Sequence, residues 1–267
     1  MTSFAHDSAE LARTYDLLSD SQFEGGKRLA ERLALKAGDR VLDVGCGTGR
    51  LAAWMAGVVG PGDVVGIDPL PDRVAVARAR APGLRFEVGR AEDLGAFGNE
   101  TFDVVCMSAV FHWVQDKPLA LAEARRVLRT GGRLGLTTMP RELHDSSTTA
   151  HVCASLVSRP PYRGRVDLAS SAIANMGSTL TELVGLLVEA QFEILELHVV
   201  RRTQTFASGD EVVDFLQASS FGHFLLLVPE DLRLSFRTDI AAAFDARRGP
   251  DGISTQMHRT ILVAIRS

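Results

Sequence analysis

Val41-Leu42-Asp43-Val44-Gly45-Cys46-Gly47-Thr48-Gly49 is the stretch on which the fold turns. A short β-branched and apolar run, Arg40 to Val44, ends in three glycines at alternate positions, and a helical run, Arg50 to Val59, follows at once. A strand, a glycine turn and a helix start bring bare backbone N–H groups close to a polar ligand, because no side chains intervene. The glycines alone could serve only a tight turn. Their spacing says more: a dinucleotide fingerprint needs glycine or alanine at position 50, which is Arg50, and a phosphate loop needs Gly-Lys-Ser/Thr, which is absent. Nicotinamide and ATP readings both lose ground.

Outward from this loop, a second strand, Val64 to Ile67, ends at Asp68, 19 residues after Gly49. By itself Asp68 would be a turn or N-cap aspartate before Pro69. Paired with the glycine loop, a carboxylate at the next strand's tip can accept two hydrogen bonds from a ribose diol at the switch point of a doubly wound sheet. The alternation continues with a helix over Asp72–Ala81, strands over Leu84–Val88 and Phe102–Met107, a helix over Lys117–Leu128 and a strand over Arg133–Thr138. In that last unit Asp116 is the expected N-cap, Pro118 sits in the first turn, and Gly131-Gly132 are expected to stop the helix. Two helices precede the first strand, between Ser8 and Ala37. Beyond Pro140 come a looser insertion to Ser178, a helix from Leu180, a strand over Phe192–Val200, helices over Glu211–Ala218 and Glu230–Ala246, and a last strand over Ile261–Ile265.

The expected fold is therefore α/β: a doubly wound, mostly parallel, seven-stranded sheet with N-terminal helices and helical insertions forming a lid. We expect one domain over residues 1–267, with its core in 38–139, 180–206 and 258–267 and cap segments in 1–37, 140–179 and 207–257.

These residues resemble the class I S-adenosylmethionine (SAM)-dependent methyltransferases, in the type 11 subgroup similar to ubiquinone and menaquinone methyltransferases. Val41 to Gly49 looks like that family's first motif, Val65-Gly66-Ile67-Asp68 its second and Phe102-Asp103-Val104-Val105 its fourth. Leu128-Arg129-Thr130-Gly131-Gly132-Arg133-Leu134 resembles the approach to strand five. The match covers Gly38 to Met139. The resemblance implies a Rossmann-like methyltransferase whose cofactor is SAM. It implies a cofactor shell of Asp43, Gly45, Cys46, Gly47, Thr48, Gly49, Asp68, Pro69, Arg73, Ala91, Glu92, Ser108 and Trp113, with Asp68 on the ribose hydroxyls and Ala91 and Glu92 beside the adenine. Arg90 departs from the family, which often has an acid or amide there to meet the adenine amino group; arginine has no acceptor.

The residues just past strand four face the ligand crevice, so Phe111, His112 and Trp113 are candidates for the acceptor site, with His112 a possible general base. The competing reading packs His112 and Trp113 under the next helix. Methyl transfer from a sulfonium is a direct displacement, for which alignment and exclusion of water can suffice without a base. Tyr15, Gln22, Tyr162, Phe221 and His223, with His6, are further pocket candidates because they fall in the segments expected to cap the site. His144, His151 and Cys153 invite a metal reading, but their spacing supplies no closed set, and no metal is expected. An arsenite methyltransferase is disfavoured by Ala109 at the place where that family has a cysteine.

Three cysteines, an odd number in a long chain, argue against a disulfide framework and for the cytoplasm. A net charge of −4 with scattered arginine pairs speaks against nucleic acid, and no run is long and apolar enough for a membrane. We expect a monomer or homodimer acting on a small molecule, by O-methylation of a metabolite or natural product, with C-methylation close behind. A SAM-binding cyclase or regulator is the alternative, and a macromolecular methyltransferase a more distant one.

Overall fold

The computed structural model describes residues 7–168 and 177–267. Its elements are α1 (Ala9–Leu18), α2 (Asp20–Arg32), β1 (Val41–Val44), α3 (Arg50–Val59), β2 (Val64–Asp68), α4 (Pro71–Arg80), β3 (Arg85–Val88), β4 (Phe102–Ser108), α5 (Lys117–Val127) and β5 (Leu128–Thr138). They continue with α6 (Thr148–Val157), α7 (Leu180–Glu189), β6 (Phe192–Phe206), α8 (Gly209–Ser219), α9 (His223–Leu226), α10 (Arg233–Asp245) and β7 (Ile253–Arg266). The seven strands form one sheet in the order β3-β2-β1-β4-β5-β7-β6. The first five pair in parallel and β7 runs antiparallel between β5 and β6.

Both faces are covered, as a parallel sheet requires. One apolar cluster joins α5 and α7 to the sheet through Leu121, Ala124, Leu183 and Leu187. The other seats α2, α3 and α4 through Leu29, Leu33, Met55 and Val74. Chain reversal between β1–β2–β3 on one side and β4–β5 on the other leaves a crevice above the carboxyl ends of β1 and β4. A third cluster, built on Phe215, Phe236 and Phe244 of α8 and α10, roofs that end of the sheet.

Local chemistry explains most boundaries. Asp116 caps α5 by accepting from Leu119 N at 3.0 Å, and Thr179 with Glu182 forms a capping box on α7. Two expectations are corrected. α5 ends at Val127 with Leu128 already extended, so Gly131 and Gly132 do not stop the helix; they lie inside β5, where the register with β4 jumps from Phe102–Leu128 to Val104–Arg133. Gly131 supplies a φ of +77° for that detour.

The terminal strands are also far longer than expected, β6 with 15 residues and β7 with 14. Their pairing runs from Phe192–Arg266 out to Phe206–Ile253, so the hairpin stands well beyond the carboxyl ends of the parallel strands. Among the described residues no helix is long and apolar enough to cross a membrane.

Candidate functional site

The glycine loop is held by the strand beside it. Gly45 N and Cys46 N both donate to Ile67 O, at 2.7 and 2.9 Å, and Gly47 N donates to Asp68 Oδ2 at 2.9 Å. The other carboxylate oxygen of Asp68 accepts from Leu70 N at 3.0 Å. Asp68 thus fixes the loop to the tip of β2 and, with lone pairs to spare, forms part of the cavity wall. Two glycines are demanded by close approach. A Cβ at Gly45 would run into Val110, and one at Gly49, where φ is +78°, would lie 2.8 Å from Ala77 Cβ on α4. Gly47 differs: at φ +53° its added Cβ would find only Tyr15, at 4.0 Å, so its open side faces the cavity.

Behind the loop, Asp43 is buried with Oδ2 unpartnered, and burial first, then the charge of Asp68, pushes its carboxyl up to about 7. Burial likewise pushes the Cys46 thiol well above its ordinary value, and it is no nucleophile at neutral pH.

Helix α1 is tied across this loop by ion pairs that sequence reading did not find. Asp16 Oδ1 accepts from the Thr48 hydroxyl at 2.6 Å, its Oδ2 pairs with Arg80 at 2.5 Å, and its backbone oxygen accepts from Arg50 Nη1 at 3.0 Å. Arg73, from α4, donates to Asp7 and to Ala218 O at 2.8 Å. Its guanidinium lies 4.5 Å from the centre of the Tyr15 ring and 4.8 Å from that of Phe221. One arginine therefore clasps α1, α4 and the end of α8.

A cavity of about 390 Å³ opens from the glycine loop beneath the roof. Tyr15, Gln22, Gly45, Gly47, Asp68, Pro69, Arg73, Ser108, His112, Trp113 and Phe221 all contribute to its wall. Phe221 takes a left-handed backbone, φ +56°, and its ring meets Trp113 edge-on at 4.5 Å. His112 is buried yet faces the cavity, and its Nδ1 has no hydrogen-bond partner. Burial, with the nearby charges of Arg259 and Lys117, holds its imidazole well below its usual range, so it is neutral.

Other sequence candidates lie elsewhere. Phe111 is fully buried in the core under α5, and Tyr162 is buried in the roof, where its hydroxyl donates to Asp239 at 2.6 Å. His223 begins α9 off the cavity wall. Asp43, Cys46, Thr48 and Gly49 support the loop from behind. Ala91 packs in the core, and Glu92 turns to accept from Gln115 N at 3.0 Å. His6 is outside the described residues.

The wall also holds residues that sequence reading passed over: Met139, Leu143, Ala150 and Val157 from the insertion, Leu216 from α8, and Met257 and Arg259 from β7. The apolar ones follow a helical spacing too weak to tell a roof from a lining. Arg259 lies in β7 just ahead of the strand expected over Ile261–Ile265.

Residues 42–136 match the model of the methyltransferase domain family, type 11. The biotin biosynthesis bifunctional protein of Bordetella avium is 33% identical over 186 residues, 65% of this chain and 39% of that protein. The 2-phytyl-1,4-naphtoquinone methyltransferase of Synechococcus elongatus is 37% identical over 144 residues, 49% of this chain and 61% of its own length. The chain thus spans less than two thirds of these curated relatives. Among solved structures, the YcgJ protein of Bacillus subtilis superposes with a TM-score of 0.62 at 19% identity, over 91% of this chain and 98% of its own, a likeness of fold. The four motifs and the strand order agree with the family match: residues 42–136 form a type 11 methyltransferase domain in a class I fold, and the cofactor of that family is S-adenosylmethionine.

Proposed function

We propose that this chain moves the methyl group of SAM to a small-molecule acceptor, with oxygen as the methylated atom. The observation that carries this reading is the continuity of one cavity from the Gly45–Gly47 backbone and Asp68 to a mostly apolar wall under the roof. The residues present fit the cofactor. Gly47 leaves its side of the loop open, Asp68 keeps free lone pairs at the tip of β2, and Gln22 Oε1 is buried on the wall without a donor. Asp68 would hold the ribose hydroxyls and the Gly45–Gly47 backbone the methionine portion. Gln22 Oε1 would accept from its ammonium, and Pro69 and Leu70 would take the adenine side, because Ala91 and Glu92 are off the wall.

When bound, the cofactor supplies a methyl on a sulfonium sulfur: the acceptor oxygen's lone pair makes the new O–C bond while the S–C pair returns to sulfur, which becomes neutral. The protein's part is placement and dryness. Trp113 and Phe221 close the wall by the loop, and neutral His112, its Nδ1 free, can take the proton of a hydroxyl acceptor.

The test is calorimetric titration with SAM, followed by measurement of S-adenosylhomocysteine formed when candidate acceptors are added. Micromolar binding and acceptor-dependent turnover are expected. Absence of binding heat defeats the reading, and binding without product for any acceptor would favour a non-methylating use of the site. Asp68→Ala should weaken SAM by about 1.5–3 kcal/mol, roughly 10- to 150-fold, through the lost charge-assisted hydrogen bonds; unchanged affinity would place the ribose elsewhere.

A further inference from the structure

Arg259 projects from β7 into the cavity near His112 and Tyr15, and its Nη1 is buried with no hydrogen-bond partner. Three acids line the same cavity. Asp68 is engaged by Gly47 and Leu70, and Asp145 and Asp167 are exposed; none bridges to Arg259. Among the described residues no carboxylate pairs with it, and the stretches 1–6 and 169–176 contain no Asp or Glu that could. The titratable groups that face it are the Tyr15 phenol, the His112 imidazole and the Arg202 guanidinium from β6, which donates to Ser21 O at 2.6 Å. Burial lowers the proton affinity of Arg259 only to about 10, so it remains a cation.

A guanidinium nitrogen left out of water without a partner is costly, and folded proteins pair such groups. The cavity that Arg259 lines is where a ligand can supply that partner. The charge also sits where it can matter: the same side chain borders a narrower recess with Gln22, Ala109 and Thr137, at the tips of β4 and β5.

We propose that Arg259 is the seat for a single carboxylate on the methyl acceptor, and that the chain therefore acts on monocarboxylates with an apolar body. This rests on the methyltransferase reading above. A guanidinium presents parallel N–H donors that match a carboxylate; of the two arginines bordering the recess, Arg202 is engaged by Ser21 O, which leaves the open donor of Arg259 for a single negative charge. Beyond Arg259 the chamber offers Met139, Leu143, Val157, Phe224 and Leu227 to an apolar body.

The probes are octanoate and phenylacetate, each against its neutral primary amide, titrated by calorimetry into protein saturated with S-adenosylhomocysteine. The acids should bind at least about tenfold more tightly than the amides. Arg259→Gln should abolish that preference while leaving S-adenosylhomocysteine affinity within about twofold, and Arg259→Lys, which keeps the charge without the fork, should retain part of it. Equal binding of acids and amides overturns the proposal. So does a loss of S-adenosylhomocysteine affinity in Arg259→Gln, since the seat would then hold the cofactor's own amino-acid carboxylate. If the unaltered protein fails to bind S-adenosylhomocysteine, the methyltransferase reading fails, and the same acid–amide pairs titrated into the ligand-free protein still decide the role of Arg259. Should Arg259→Gln not fold, Arg259→Lys carries the comparison.

Discussion

Asp43 shows how a residue can be conspicuous in sequence for one reason and matter in structure for another. Its place ahead of the glycines suggested a ligand, yet it stands behind the loop, 1% exposed, with one oxygen unpartnered. An acid whose folded pKa, about 7, lies above its unfolded value of 3.8 contributes stability below that unfolded value and loses it as pH rises toward 7. At about 1.36 kcal/mol per pH unit, the full loss is roughly 4 kcal/mol. Asp43→Asn should remove this dependence, so that its urea midpoint exceeds that of the unaltered protein near pH 8 by more than it does near about pH 5. Parallel pH curves for the two proteins would mean that Asp43 is already solvated or paired. His112, by contrast, was legible as a wall residue, and it lines the cavity while itself buried beside Trp113.

At the scale of elements, the parallel half of the molecule was legible because its strands are buried on both faces and punctuated by glycine and proline. β1, β2, β4 and the helices between them lie within a residue or two of where the pattern put them. The β6–β7 hairpin was not. Past Val200 its residues run Arg201-Arg202-Thr203-Gln204-Thr205, polar on both faces, while on the partner strand Ser254, Gln256 and His258 make one face polar and Thr255 interrupts the other between Ile253 and Met257. With one strand polar on both faces and the other alternating over only a few residues, the period of two carries little contrast, and Arg259 was missed with this end of its strand.

The Arg73 clasp was equally invisible, since it joins α4 to Asp7, 66 positions away in sequence, and to Ala218, 145 away. Both charges of the Arg73–Asp7 pair are 4% exposed, so Arg73→Ala strands a buried carboxylate at a cost of about 3–5 kcal/mol. Hydrogen exchange should then quicken across α1 and the end of α8 while β4 and β5 keep their protection. Unchanged protection of α1 would show that the Asp16 contacts alone hold it.

For the whole molecule, the cavity draws its wall from α1, α2, the β1 and β4 tips, the 139–157 segment, α8 and β7, so a ligand filling it touches elements from across the chain. A ligand bound only by the folded state stabilises it by mass action, about 2.7 kcal/mol at a hundred times its dissociation constant. For a chain of this size that corresponds to a rise in Tm of about 5–10 °C. S-adenosylhomocysteine at that excess should produce such a shift in a differential scanning experiment; a shift near zero, with binding established, would mean that the ligand also binds the unfolded chain.

The matched segment ends at residue 136, two short of the end of β5, and the roof, the hairpin and Arg259 all come later in the chain. The end of the family match thus lies near a physical seam, with the glycine loop and Asp68 on one side and most of the cavity's apolar wall on the other. Kinship measured over that segment samples the glycine loop and Asp68 and leaves most of the apolar wall unsampled. Grafting residues 139–168 and 207–259 between two such relatives is the route by which one could be given the other's clientele.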